Sequence, residues 1–138
     1  VNKIEYVTIA STGNAADFGD LTQNYRNGDG AGSNTRGIVG NGSNPVASNV
    51  ISYVTIATLG DAVDFGDRTV ASPYNGAAAS NSNRTVFAGG QVAPASAVTN
   101  TIEYVTIAST GNSADFGDLT IANSEFQGLS DSNGGLSE

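Results

Sequence analysis

The chain has 138 residues, 13 acids against five bases, and a formal charge of -8. It contains no Cys, His, Met or Trp, which excludes a disulfide framework and a thiolate metal site and removes the commonest general base. The bases Lys3, Arg26, Arg36, Arg68 and Arg84 are scattered, so the basic stripe that nucleic acid needs is missing, and no apolar run is long enough to span a membrane as a helix.

Residues 4–22 read Ile-Glu-Tyr-Val-Thr-Ile-Ala-Ser-Thr-Gly-Asn-Ala-Ala-Asp-Phe-Gly-Asp-Leu-Thr, and near copies stand at 51–69 and 102–120. The starts are 47 and 51 residues apart. A period of that size marks one supersecondary unit stacked on copies of itself. The opening of the phrase is rich in β-branched and aromatic residues and predicts a strand. In the third copy Ile102, Tyr104 and Thr106 share one face and Val105 and Ile107 the other, so both faces are expected to be covered. Ser-Thr-Gly-Asn is turn chemistry. Ala-Asp-Phe-Gly-Asp-Leu then predicts a second strand, with Phe116 as its anchor.

Residues 1–22 therefore supply two strands of a unit, read as its third and fourth. Residues 23–69 form a complete unit, with a further strand at 36–42 that ends in Gly-Asn-Gly. Residues 70–120 form the next. Its small-residue run at 76–81 predicts a strand that can crowd a neighbour, and 84–90 predicts another, ended by a Gly pair that permits positive φ. Residues 121–138 open a fourth unit, because 126–133 resembles 74–81. Four short antiparallel strands per roughly 50 residues is the spacing of a propeller blade.

The strand ending in Gly-Gly at 86–90, the variable loop after it, the Tyr104 strand and the aromatic Phe116 strand together resemble a kelch-type β-propeller. This chain has Phe where kelch blades usually place Trp. The 19-residue phrase is also similar to repeats in long structural proteins of marine bacteriophages, cyanophages in particular. The resemblance implies an all-β propeller of four-stranded antiparallel blades, about three per chain, and a virion or extracellular location. Three blades are too few to close a ring, so the expected partner is a second copy completing a six-bladed C2 ring, or else the chain is part of a longer repeat protein.

No catalytic constellation stands out, and no cofactor is expected. Asp17 and Asp20, Asp64 and Asp67, and Asp115 and Asp118 recur in every copy. They are weak candidates for Ca²⁺, and their recurrence favours turn-capping by Asp side chains instead. Arg36 and Arg84 are expected to bridge to Asp residues within or between blades. Tyr6, Tyr53 and Tyr104 read as core packing rather than a sugar-stacking ring. The loops that differ between copies, 23–35, 41–49 and 91–100, are the better ligand candidates, with Tyr25, Arg26, Asn41, Asn44, Asn49, Gln91 and Asn100 as contact residues. The expected function is non-enzymatic: a structural or adhesive module, a phage tail or fibre component, that presents loops to a partner protein or host glycan. The alternatives are a glycan-active enzyme on the same scaffold, which should break the symmetry with one unusual acid or base, and an engineered repeat protein.

Overall fold

The computed structural model describes residues 1–40, 42–43, 46–72, 76–93 and 97–130. Among these residues the chain is all-β, with no helix. In chain order the strands are β1 (Lys3–Tyr6), β2 (Ala16–Asp20), β3 (Asp29–Gly32), β4 (Arg36–Gly40), β5 (Ser48–Thr55), β6 (Val63–Ser72), β7 (Ala77–Ser80), β8 (Arg84–Ala88), β9 (Gln91–Val92), β10 (Ala97–Val98), β11 (Thr101–Thr106) and β12 (Ala114–Asp118).

Two four-stranded antiparallel sheets dominate, β3-β4-β5-β6 and β7-β8-β11-β12, each a meander in chain order. The β1–β2 hairpin matches the last two strands of such a sheet, and β9–β10 is a small hairpin inside the 91–100 loop. The tight turns are closed by side chains. Ser33 Oγ accepts from Thr35 N and Arg36 N at 3.2 and 3.3 Å, and Asn81 Oδ1 accepts from Asn83 N and Arg84 N at 2.9 and 2.8 Å. Short polar side chains that satisfy local amides are what such turns select. Gly89 and Gly90, at φ +65° and +102°, end β8 where the chain leaves the sheet.

Every copy of the phrase carries the same β-bulge. Ile4 faces Gly19 while Glu5 faces Asp17, which leaves Phe18 unpaired. The shift recurs between Ile51 and Ser52 and between Ile102 and Glu103, leaving Phe65 and Phe116 in the same position. A bulge bends its strand and re-aims the extra side chain. The glycine after each Phe, at φ +144° to +153°, supplies the backbone conformation that the bulge needs.

The core lies between the two large sheets. Ile38, Ile51 and Phe65 come from the first, and Phe87, Val105 and Ile107 from the second. Burying a side chain of this kind stabilises by about 1.5–3 kcal/mol, so the two sheets hold each other. Gly40 makes room for Phe87, because a Cβ there would sit 3.0 Å from its ring. β7 lies against β3, where Ser80 Oγ both accepts from Gly32 N at 3.1 Å and donates to Gly32 O. The small residues of β7 permit that approach.

Two expectations need correction. Phe116 is not an anchor: it is 54% exposed, whereas Phe65 is 2% exposed, because among the described residues no sheet packs over the third bulge. The third phrase is also covered unequally. Glu103, Val105 and Ile107 are buried on the side of the preceding sheet, while Ile102 and Tyr104 are only half-buried.

Candidate functional site

In a four-stranded meander the second-to-third connection and the link to the next sheet leave from the same end. The β4–β5 connection, the β8–β11 connection and the β2–β3 link therefore share one end of the stack. Tyr25, Arg26, Asn49, Gln91 and Asn100 all lie there. Asn41 and Asn44 fall outside the described residues, as do residues 131–138 of the expected fourth unit, whose described part, 121–130, holds no strand.

The loops at this end are tied to one another. Ser43 N donates to Arg26 O at 3.1 Å, Gly42 N to Ser72 O at 3.1 Å, and Ala93 N to Ala71 O at 3.2 Å across the two sheets. Gln23 Nε2 donates to Tyr25 Oη at 2.9 Å and to Ser48 Oγ at 2.7 Å. Tyr25 Oη donates to Val50 O at 3.4 Å, and Asn49 Nδ2 donates to Arg68 O at 3.3 Å. Tyr25 and Asn49 thus use polar groups to fix the loops, whereas Arg26 is exposed. Asn100 receives Leu119 N on its main-chain oxygen at 2.7 Å. The result is a polar surface on a braced frame, suited to hydrogen-bonding a ligand without rearranging.

The Asp pairs lie on β2, β6 and β12, not in turns. Asp17 meets Lys3 at 3.1 Å on the surface, and that contact raises the Lys3 pKa. Turn-capping falls to Ser33 and Asn81 instead, and two members of the pairs offer main-chain amides to the next unit. Asp61 Oδ1 accepts from Asp20 N at 2.9 Å, and Asn112 Oδ1 from Asp67 N at 3.0 Å. Among the described residues no group of three acids is close enough to share a metal ion.

The arginine expectation is corrected as well. Arg36 lies over the Tyr53 ring at 4.4 Å and donates from Nη1 to Ile107 O at 2.7 Å; Arg84 lies over the Tyr104 ring at 4.6 Å. The register explains this. Arg36 pairs with Thr55 and Ile38 with Tyr53, so Arg and Tyr are diagonal neighbours on one face, within cation–π reach. The tyrosines, each edge-on to its bulge Phe, differ in burial: Tyr53 packs against the core as expected, Tyr104 is half-buried and Tyr6 is 43% exposed.

The buried ion pair is one that the repeat conceals. Arg68 Nε meets Glu103 Oε2 at 3.2 Å, and both side chains are essentially inaccessible. Thr69 N and Ser113 Oγ donate to the same oxygen at 3.3 and 2.7 Å, and Thr69 Oγ1 donates to Oε1. Burial alone would push the Glu103 pKa up, but the Thr69 hydrogen bond, the Arg68 guanidinium and Ser113 outweigh it and hold it below the ordinary value. Arg68 also lies over the Phe87 ring at 5.1 Å, and its two terminal nitrogens have no acceptor among the described residues. Sequence did carry a signal for this pair: Arg68 replaces the Leu21 and Leu119 of the other copies, and Glu103 stands where the second copy has Ser52.

An apolar cleft of about 280 Å³ lies beside the β1–β2 hairpin, lined by Ile4, Leu21, Ala31, Ile38, Val39 and Tyr53 among others. No helix is long and apolar enough to cross a membrane among the described residues. No protein-family model matches the chain, and no curated protein matches it.

Proposed function

We propose that the chain is a non-enzymatic structural or adhesive β-propeller module that displays variable loops on a rigid ring. Each four-stranded meander is a blade, and the β1–β2 hairpin is the outer half of another. Two copies would close a six-bladed ring by C2 symmetry, unless the chain belongs to a longer repeat protein with further blades. In the ring, residues 121–130 of a second copy would fill the apolar cleft beside β1–β2. The sequence phrase favours a bacteriophage virion, in a tail or fibre, as its setting. The ligand class is a host-surface glycan or a partner virion protein.

The observation that carries this reading is that the described parts of the 23–28, 41–49 and 91–100 segments, which differ between copies, meet at one end of sheets that are otherwise alike; of the expected 23–35 loop, 29–32 form β3 and 33–35 its turn at the opposite end. A scaffold repeated in detail, with its longest variable segments on one rim, suits recognition. A glycan array probed with the tagged full chain tests it. Binding that is lost when residues 91–100 are replaced by a Gly-Ser loop of equal length supports adhesion. Silence across the array, together with no partner captured on purified phage particles, sinks it.

A further inference from the structure

Successive units are joined by the same three links. At the first joint Gly60 N donates to Phe18 O at 2.9 Å, Ala62 N to Asp20 O at 2.8 Å, and Asp20 N to Asp61 Oδ1 at 2.9 Å. At the second, Gly111 N donates to Phe65 O at 2.7 Å, Ser113 N to Asp67 O at 2.9 Å, and Asp67 N to Asn112 Oδ1 at 3.0 Å. The hairpin tip of each following unit thus grips the bulge of the one before.

The groups for a third joint stand at opposite ends of the stack. Phe116, Gly117 and Asp118 repeat the bulge, and Gly13, Asn14 and Ala15 repeat the tip. Gly117 holds φ +144°, like Gly66 at +145°, yet a Cβ on Gly117 would meet open space, whereas one on Gly66 would strike the Gly111 carbonyl. The apolar side chains are bare at both ends. Val7 is 57% and Ile9 98% exposed, while their counterparts Val105 and Ile107, which face a complete four-stranded sheet, are buried, and Val54 and Ile56, which face only the β1–β2 hairpin, are half-buried and 48% exposed. Phe116 is exposed at the other end.

We infer that the bulge around Phe116 docks the Gly13–Asn14–Ala15 tip of a second copy of this chain, head to tail, and buries its Val7 and Ile9. This deepens the ring reading by naming its seam. The contact uses different surfaces on the two copies, so it closes if the rotation allows and otherwise extends as an open chain.

The side chains also set the strength of the seam. The first joint sets Leu21 and Thr22 against Ser52, with the Thr22 and Ser52 hydroxyls 2.6 Å apart. The second sets Arg68 and Thr69 against Glu103. The seam sets Leu119 and Thr120 against Glu5, so it takes the acid of one joint and the apolar partner of the other. Glu5 would be buried without its arginine, which is costly. The seam is therefore weaker than either internal joint, and two different substitutions should strengthen it: Leu119→Arg recreates the second joint and Glu5→Ser the first.

Sedimentation of the full chain across a concentration series tests this, using the wild type, L119R, E5S and F116D. The expected result is reversible association of the wild type, tightened by about tenfold or more in L119R and in E5S, and weakened by a similar factor in F116D. Circular dichroism should show all four folded, since the three positions lie outside the core. Association that ignores all three substitutions, or a monomer in every variant, overturns the seam. A ladder of masses beyond two chains that obeys the same substitutions keeps the seam and removes the six-bladed ring.

Discussion

The two internal joints share a main-chain design and differ in what fills it. Around the first, Leu21 and the Thr22–Ser52 hydroxyl pair suffice. Around the second, a buried Arg68–Glu103 pair is held by Thr69 and Ser113. The main-chain links therefore do not depend on the ion pair, because the first joint makes the same three without one. A buried pair is weak evidence for stability, since desolvation offsets much of the attraction. Its more plausible effect is discrimination: a slipped or exchanged sheet would strand a charge.

Several substitutions would break or sharpen that contrast. Arg68→Leu alone should destabilise by about 3–5 kcal/mol in urea unfolding, because it strands a buried carboxylate. Adding Glu103→Ser converts the second joint to the first, and the double variant should recover most of the loss. A double variant no more stable than the single would show that the joints are not interchangeable. Phe65→Ala should cost about 3–5 kcal/mol, as for a buried aromatic, whereas Phe116→Ala, on the open bulge, should cost below about 1 kcal/mol in dilute monomer. Equal losses would mean that the third bulge is covered.

Glycine substitutions probe the same contrast more gently. Gly117→Ala carries only the strain of its backbone conformation, about 1–3 kcal/mol. Gly66→Ala carries that strain and also displaces the Gly111 carbonyl, so it should unfold at visibly lower urea; matching midpoints would refute the main-chain grip. The smallest effect is in acid. With its folded pKa below the ordinary 4.5, Glu103 adds stability that is whole above that value and is lost as pH falls through the folded pKa. The R68L/E103S chain should lack this step in its stability–pH curve, while Glu5→Ser should keep it.

Much of the fold was legible because the phrase repeats. Strands over the Tyr-bearing and Phe-bearing segments, the small-residue strand at β7 and the Gly-Gly stop after β8 all follow from local chemistry. The bulge was not visible, since nothing in Ala-Asp-Phe-Gly-Asp says which residue escapes pairing until the partner strand's register is known. The acids were misjudged for a related reason. Turn-capping was assigned to the recurrent Asp pairs, but the capping oxygens belong to Ser33 and Asn81, and the amides of Asp20 and Asp67 are met across a joint by Asp61 and Asn112, 41 and 45 residues away. The Arg–Tyr stacking was missed because a diagonal neighbour depends on register. Arg68 and Glu103 were each a departure from the phrase, and reading such departures in pairs would have found the ion pair.

The grip of hairpin tip on bulge has one further consequence. It is written almost wholly in amides, carbonyls and glycines, with a single Asp or Asn oxygen added. A segment of about one period, inserted or removed in whole by recombination of the coding sequence, would present at each cut the same lock and key that the cut exposed. Lineages carrying such a chain could lengthen, shorten or shuffle their modules, with the pairing of residues such as Arg68 and Glu103 deciding which orders are tolerated.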